Sequence, residues 1–264
     1  MTKIKNDKYY TSPDLAKYVV NKTKEIIGEE NITEYIEPSG GNGVFLDYLP
    51  QGTYSCDIEP EDNRIVKQDY LELDLEYKKG RCIIGNPPFG NRNTLSVQFY
   101  KKSIQLGDYI VFILPISQLN NNQQMYEFDL VHSEDLGKQN YTDRQIHCCL
   151  NIYKRPTNGL NEKPNCKLKD IIVYEKRRTG MDTTPKNYDM AICGWGASIG
   201  KEIKFEGQYA NEKYIVVVNK LYLEKIVSLL KCVDWVKEYN MTATPALYQW
   251  QIYKYHKEQI PELE

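Results

Sequence analysis

Asn86-Pro87-Pro88-Phe89 follows directly on the apolar run Cys82-Ile83-Ile84 and is closed by Gly90. The run reads as the end of a buried strand, which puts the asparagine and its prolines in a loop at a carboxyl edge, where open α/β sheets bind ligands. An exocyclic amine on a planar base is a poor nucleophile because its lone pair is delocalised into the ring. Two acceptors on its N–H groups favour a pyramidal nitrogen whose lone pair is aimed at an electrophile. The side-chain oxygen of Asn86 and the carbonyl of Pro87 can be those acceptors, while the prolines fix the loop and remove N–H groups that would compete. Phe89 offers a ring for a base drawn out of its duplex to stack on. The competing reading of an isolated N-P-P is a rigid turn without chemistry.

Upstream, "EPSGGNG" places Gly41 and Gly43 just after a short strand, which lets the backbone approach a nucleotide-type cofactor closely. The third glycine of a dinucleotide fingerprint is absent, and Leu46 follows instead. "GWGASIGK" resembles a phosphate loop, but Trp195 and Glu202 stand where glycine and Ser/Thr are required, which excludes that use. Asp57 ends the next strand, where an acid accepts hydrogen bonds from both hydroxyls of a ribose. Ile58 beside it can cover a face of adenine, and Asp69 in "KQDYLEL" can accept from an adenine amino group. Each acid by itself is more often an ordinary surface residue; the glycine turn and two acids at successive strand ends form a set.

In this order, "EPSGGNG", "CDIEP", "KQDYLEL" and "NPPFG" resemble the cofactor and catalytic motifs of amino-type, S-adenosylmethionine-dependent DNA methyltransferases. Asn-Pro-Pro-Phe is similar to the signature of those acting on adenine N6, and "YYTSPDLAKYVV" resembles the motif that precedes the glycine turn in their gamma arrangement. The match covers roughly residues 8 to 115. The resemblance implies that Thr11 and Ser12 neighbour the cofactor's carboxylate, and Glu37, with Pro38, its amino group. It further implies that Gly41 and Gly43 shape the pocket, Asp57 holds the ribose, Ile58 and Asp69 hold the adenine, and Asn86 and Phe99 also line the site. Asn86, Pro87, Pro88 and Phe89 would be catalytic. Cytosine-C5 chemistry needs a Pro-Cys nucleophile, and the chain has no such dipeptide. N4-cytosine enzymes more often carry Ser in place of the asparagine, which favours adenine. No general base is required, because a methylated ammonium loses its proton to water. Two other readings stay open. The acceptor could be adenine in RNA or a protein glutamine amide, although glutamine-modifying relatives usually carry Tyr where Phe89 stands. The chain could also be a nucleic-acid-binding subunit without catalysis.

The elements that must position these residues alternate along the chain. Ser12-Pro13 opens a helix with Leu15, Tyr18, Val19 and Ile26 on one face and Gly28 as its stop. "EYIEPSGGNGVFLDYL" reads as strand, turn and helix. "TYSCDIEP" and "RCIIGNPPFG" are strands with their loops, "LSVQFYKKSIQLG" is a helix, and "DYIVFILP" is a continuous apolar strand of the parallel-sheet kind. The expected fold is therefore α/β, a Rossmann-like doubly wound methyltransferase sheet, with a cofactor-binding catalytic domain over residues 1–155. "RPTNGLNEKPN" breaks the pattern. Residues 156–264 are expected to form a small α+β target recognition region, with strands "DIIVYEKR" and "KYIVVVN", a glycine-rich loop and one helix near residues 220 to 231.

Net charge is only −2, so composition neither demands nor excludes nucleic acid. From Lys154 to Arg178, however, basic residues outnumber acids, as a phosphate-facing surface requires. Lys176, Arg177, Arg178, Trp195 and Lys201 are the expected nucleic-acid contacts, with Trp195 equally readable as core. The expected partner is double-stranded DNA, and the resemblance allows a cognate restriction endonuclease beside it. The seven cysteines are odd in number and include no C-x-x-C pair. Cys148-Cys149 in a strand sends one thiol to each face, as small buried hydrophobes. No metal is expected, since His132, His147 and His256 lack ligand spacing. The polar start "MTKIKNDKYY" and the lack of any run near ~18 apolar residues point to a soluble, cytoplasmic protein without a membrane partner, and a monomer is expected.

Overall fold

The computed structural model describes residues 10–141, 144–177, 184–239, 241 and 245–264, apart from the side chains of Arg92, Arg144 and Arg177. It divides into two compact units, Met1–Pro164 and Asn165–Glu264. Residues 156–164 stay with the first unit, where the Asn161 N–H donates to the Glu127 carbonyl at 2.9 Å and its Nδ2 to Asp129 at 2.8 Å.

In the first unit, helix α1 (Pro13–Ile27) begins as its sequence requires: the Ser12 hydroxyl accepts from the Leu15 N–H at 3.3 Å, and Pro13 occupies the first turn. It ends at Gly28, whose N–H bonds the Lys24 carbonyl. Seven strands follow: β1 (Glu34–Glu37), β2 (Tyr54–Asp57), β3 (Val66–Lys67), β4 (Arg81–Gly85), β5 (Tyr109–Pro115), β6 (Asp129–Tyr141) and β7 (Arg144–Lys154). Helix α2 (Thr94–Leu106) lies between β4 and β5 in the chain.

The sheet order is β3-β2-β1-β4-β5-β7-β6, with β3 through β5 parallel and β7 antiparallel to both β5 and β6. Ile36 of β1 sits opposite Ile83 of β4 on one side and Tyr54 of β2 on the other. The chain moves outward from β1 to β2 and β3, then returns to lay β4 on β1's other flank. That reversal makes a switch point between β1 and β4, whose carboxyl ends open a crevice.

Alternation along each strand feeds two cores. Cys82, Ile84, Val111, Ile113, Leu150 and Ile152 pack under Leu15, Ala16, Val19 and Val20 of α1. Ile83, Ile110, Phe112, Leu114 and Tyr153 pack on the other face with Phe99, Tyr100 and Leu106 of α2. With one helix on each face, the sheet is doubly wound as expected. Cys148 belongs to the first core and Cys149 to the second, each fully buried.

The strict alternation of strand and helix is not kept. "GVFLDYL" forms consecutive turns rather than a helix. The Leu49 N–H reaches the Phe45 carbonyl at 3.0 Å, but Pro50 and Gly52 stop the chain before a second helical turn can offset the entropy of nucleation. The link from β2 to β3 is likewise turns. Another departure is the long β6–β7 hairpin, which fills the sheet edge beyond β5.

The second unit is α+β. Strands β8 (Ile171–Arg177), β9 (Met190–Cys193) and β10 (Asn211–Val217) form an antiparallel sheet in the order β8-β10-β9. One face, with Ile171, Val173, Ile192, Ile215 and Val217, packs on α3 (Leu223–Cys232), the single-turn α4 (Trp235–Glu238) and α5 (Gln249–Gln259). The helix near residues 220 to 231 is α3; β9, α4 and α5 are additions that lack a strong apolar period. Among the described residues no helix is long and apolar enough to cross a membrane.

Candidate active site

Most of the residues singled out in the first unit lie at the carboxyl ends of β1, β2 and β4, because parallel strands deliver their following loops to one edge. Gly85 ends β4, and a Cβ there would lie 3.4 Å from Pro38 Cδ, so the ends of β1 and β4 are closely packed. Ser39 closes the junction: its hydroxyl donates to the Asn86 carbonyl at 3.1 Å. The Asn86 side chain donates through Nδ2 to Thr11 Oγ1 at 3.2 Å and towards the Tyr141 hydroxyl at 3.5 Å. Residues separated by 75 and 55 positions thus converge on one amide.

The rest of the loop is rigid for identifiable reasons. The Ser96 hydroxyl donates to the Pro88 carbonyl at 3.1 Å. Gly90 has φ +67°, and a Cβ there would come within 3.0 Å of the Leu95 backbone nitrogen, so only glycine fits the exit. Pro87 is buried and Pro88 half-buried. Phe89 is buried in the α1-side core, so its ring is less open to a stacked base than its place in the motif suggested.

The glycine turn is tied to β2 and to the loop after it. The Gly41 N–H donates to Asp57 Oδ2 at 2.9 Å, and the Gly40 N–H to the Cys56 carbonyl at 3.0 Å. Asp57 Oδ1 also accepts from the Glu59 N–H at 2.8 Å. Both oxygens of the candidate ribose acid therefore already hold backbone, with lone pairs to spare. Arg64 braces the turn, pairing with Asp47 at 2.8 Å and Asp62 at 2.7 Å. Tyr10 crosses over it, its hydroxyl donating to Glu61.

Glu37 is almost fully buried at the end of β1, where it accepts from the Ser55 hydroxyl at 2.8 Å. Burial, reinforced by the charge of Asp57, pushes its carboxyl up to about 8. Among the described residues no lysine or arginine forms an ion pair with it.

The other expected residues are spread around this centre. Ser12 is exposed and caps α1, while Thr11 is buried. Ile58 is exposed, as a residue meant to cover a ligand can be. Asp69 caps a short 3-10 turn, accepting from the Leu71 N–H at 2.8 Å. Phe99 is buried in the α2-side core against Tyr70, ring centroids 5.2 Å apart. Ser39, Arg64 and Tyr141 were not anticipated. Ser39 lies inside a quoted motif and was readable there; Tyr141 comes from a distant hairpin and left no local signal.

In the second unit, Lys176 pairs with Glu206, and Lys201 is exposed. Trp195 is half-exposed, at 49%, which removes the core reading for that side chain. The side chain of Arg177 and the whole of Arg178 lie outside the described residues. One member of the basic run is not available to phosphate. Arg155 pairs with Asp108 at 3.0 Å, donates to the Ile104 and Gly107 carbonyls, and lies over the rings of Tyr77 and Phe128.

No protein-family model matches the chain, and no curated protein matches it. Solved structures are similar in part. A candidate RNA methyltransferase of Pyrococcus horikoshii is 14% identical with a TM-score of 0.47, over 59% of this chain and 90% of its own. A 23S rRNA methyltransferase is 11% identical with a TM-score of 0.43, over 59% of this chain and 72% of its own. A type I restriction-modification system methyltransferase subunit of Streptococcus thermophilus is 11% identical with a TM-score of 0.45, over 98% of this chain and 60% of its own. At identities of 11–14% and TM-scores of 0.43–0.47, none of the three assigns a substrate or an activity to this chain.

Proposed function

We propose that the chain is an S-adenosylmethionine-dependent methyltransferase acting on the N6 amino group of adenine in double-stranded DNA, with the target base drawn out of the duplex. The observation that carries this reading is the convergence on Asn86: an amide at the β1/β4 switch point, gripped by Thr11 and Tyr141, beside the glycine turn held by Asp57.

The residues present fit the cofactor. Its amino-acid end is cationic, and the buried Glu37 carboxyl at the crevice has no ion-pair partner of its own among the described residues. A cation there would return its pKa towards the ordinary range. Asp57 and Asp69 stand at the ends of the next two segments for the ribose and the adenine, and Gly41 and Gly43 supply the positive-φ positions of the turn. When bound, the cofactor supplies a methyl group on a positively charged sulfur.

Asn86 Oδ1 and the Pro87 carbonyl accept from the two N–H groups of the target amine, which localises the nitrogen lone pair. That nitrogen would take the methyl group as the carbon–sulfur bond breaks and the sulfur leaves as a neutral thioether, and it would release one proton to solvent, so the reaction needs no protein base. Residues 165–264, the second unit, are the recognition region of this reading, with Lys176, Arg177, Arg178, Trp195 and Lys201 its DNA contacts.

The test is transfer of labelled methyl from S-adenosylmethionine to unmethylated genomic DNA by the full chain, with nucleoside digestion and mass spectrometry. A rise in N6-methyladenine is expected. Label appearing only in RNA or in protein glutamine would change the acceptor. Cofactor binding without transfer to any of the three would overturn the reading in favour of an inactive binding subunit.

A further inference from the structure

An asparagine amide has an accepting and a donating side, and only one orientation serves a reaction that needs an acceptor at Asn86. The surroundings of Asn86 decide which. Its Nδ2 lies 3.5 Å from the Tyr141 hydroxyl, which lies 3.5 Å from Cys148 Sγ; that sulfur in turn donates to the Ile146 carbonyl at 3.5 Å. These distances suit sulfur, whose radius exceeds that of oxygen, and the amide-to-hydroxyl contact is at the long end for nitrogen and oxygen.

A backbone carbonyl can only accept, so Cys148 gives its S–H to Ile146. The sulfur then accepts from Tyr141, and the Tyr141 oxygen accepts from Asn86. Polarity therefore runs one way from amide to carbonyl, and reversing the amide would set Oδ1 against an oxygen whose proton is already committed. Thr11 Oγ1, at 3.2 Å, is a second acceptor for the same Nδ2. The thiol stays a donor over the working pH range, since burial pushes Cys148 up to about 11. Both Tyr141 and Cys148 are buried, which shields the chain from competing water.

We infer that Tyr141 is a positioning residue: through the chain Asn86–Tyr141–Cys148–Ile146 it sets the amide of Asn86 with Oδ1 towards the acceptor amine. Tyr141 belongs to β6 of the edge hairpin, so this hairpin contributes to the site without touching the reacting atoms. The catalytic consequence rests on the transfer reaction proposed above.

Tyr141→Phe removes the hydroxyl and keeps the ring. In 1H–15N spectra of the full chain, the Asn86 side-chain NH2 pair, assigned by its absence in Asn86→Ala, is expected to shift and to exchange faster with water in Tyr141→Phe. Methyl transfer to DNA is expected to lose about tenfold in kcat, with KM for cofactor and DNA changed by less than about twofold. Cys148→Ala breaks the chain one link further on and is expected to cost kcat about threefold, again without KM; it serves if Tyr141→Phe fails to fold. Unmoved Asn86 resonances, an unchanged kcat, or a loss confined to KM would overturn the inference. Absence of transfer by the wild type would sink the reading of the reaction, while the resonances would still decide the orientation.

Discussion

Two buried carboxyls, Glu212 in Asn165–Glu264 and Glu37 in Met1–Pro164, are held in opposite ways. The first is matched by the fold. Glu212, fully buried on β10, accepts from the Gly207 N–H at 3.0 Å, the Tyr209 N–H at 2.9 Å and the Tyr214 hydroxyl at 2.6 Å. Lys213, the next residue, pairs at 2.8 Å with Glu175, which stands opposite it on β8. In Met1–Pro164, Glu37 is buried as deeply but receives one side-chain hydrogen bond, from Ser55, and its carboxyl is displaced upward by desolvation. A buried charge that the fold has matched holds the fold together; one left unmatched at a crevice is suited to a ligand of opposite charge.

The contrast can be broken at several places, the largest effect first. On the proposed reaction Asn86→Ala removes an acceptor for the target amine, and methyl transfer should fall by roughly 100- to 1000-fold. Cofactor affinity, measured by calorimetric titration, should stay within about threefold; a parallel loss of binding would assign the side chain to the cofactor instead. Lys213→Met should cost about 3 kcal/mol in urea unfolding, because it takes the ion-pair partner from Glu175, which keeps its bond from the Asn211 side chain but then lies beside a buried apolar stem. A loss near zero would show that the pair is not what holds the second sheet together.

Glu37→Gln tests the unmatched side. The folded carboxyl titrates near 8 against an ordinary 4.5, so between these values the folded state holds a proton that the unfolded chain has lost. The contribution of Glu37 to stability is therefore full below pH 4.5 and declines as pH rises towards about 8. Glu37→Gln should flatten this decline, read from urea midpoints across that range, and weaken cofactor binding by about tenfold. A variant with the wild-type slope would place the pH dependence elsewhere. The smallest effect is expected from Ser39→Ala, which loses the bond to the Asn86 carbonyl and should cost about 1 kcal/mol in stability. A drop in kcat larger than this would mark the junction between β1 and β4 as part of the catalytic geometry.

Much of the frame was legible because it depends on local rules. Ser12-Pro13 and Gly28 delimit α1 through capping, which needs no distant partner. The apolar runs at residues 82–84 and 109–115 declare buried strands, and the cysteine pair divides between faces by the two-residue period. The turn after Gly43 was misread as a helix because apolar spacing over seven residues cannot show that Pro50 and Gly52 end the segment before a helix pays its nucleation entropy.

What the sequence by itself determined is the chemistry on offer: an amide followed by two prolines at a strand end, a glycine turn, and acids at the ends of the neighbouring segments. Spacing along the chain carries that information because each motif is contiguous. Tertiary structure alone decided which way the chemistry faces. Thr11, Ser39 and Tyr141 reach Asn86 from three separate elements, and the polarity of the amide follows from a chain that ends at the Ile146 carbonyl on β7. It also decided that Arg155 is held at Asp108 while Trp195 is half-exposed. Hydrogen-bond direction and burial are properties of groups meeting in space, and no periodicity in one chain encodes them.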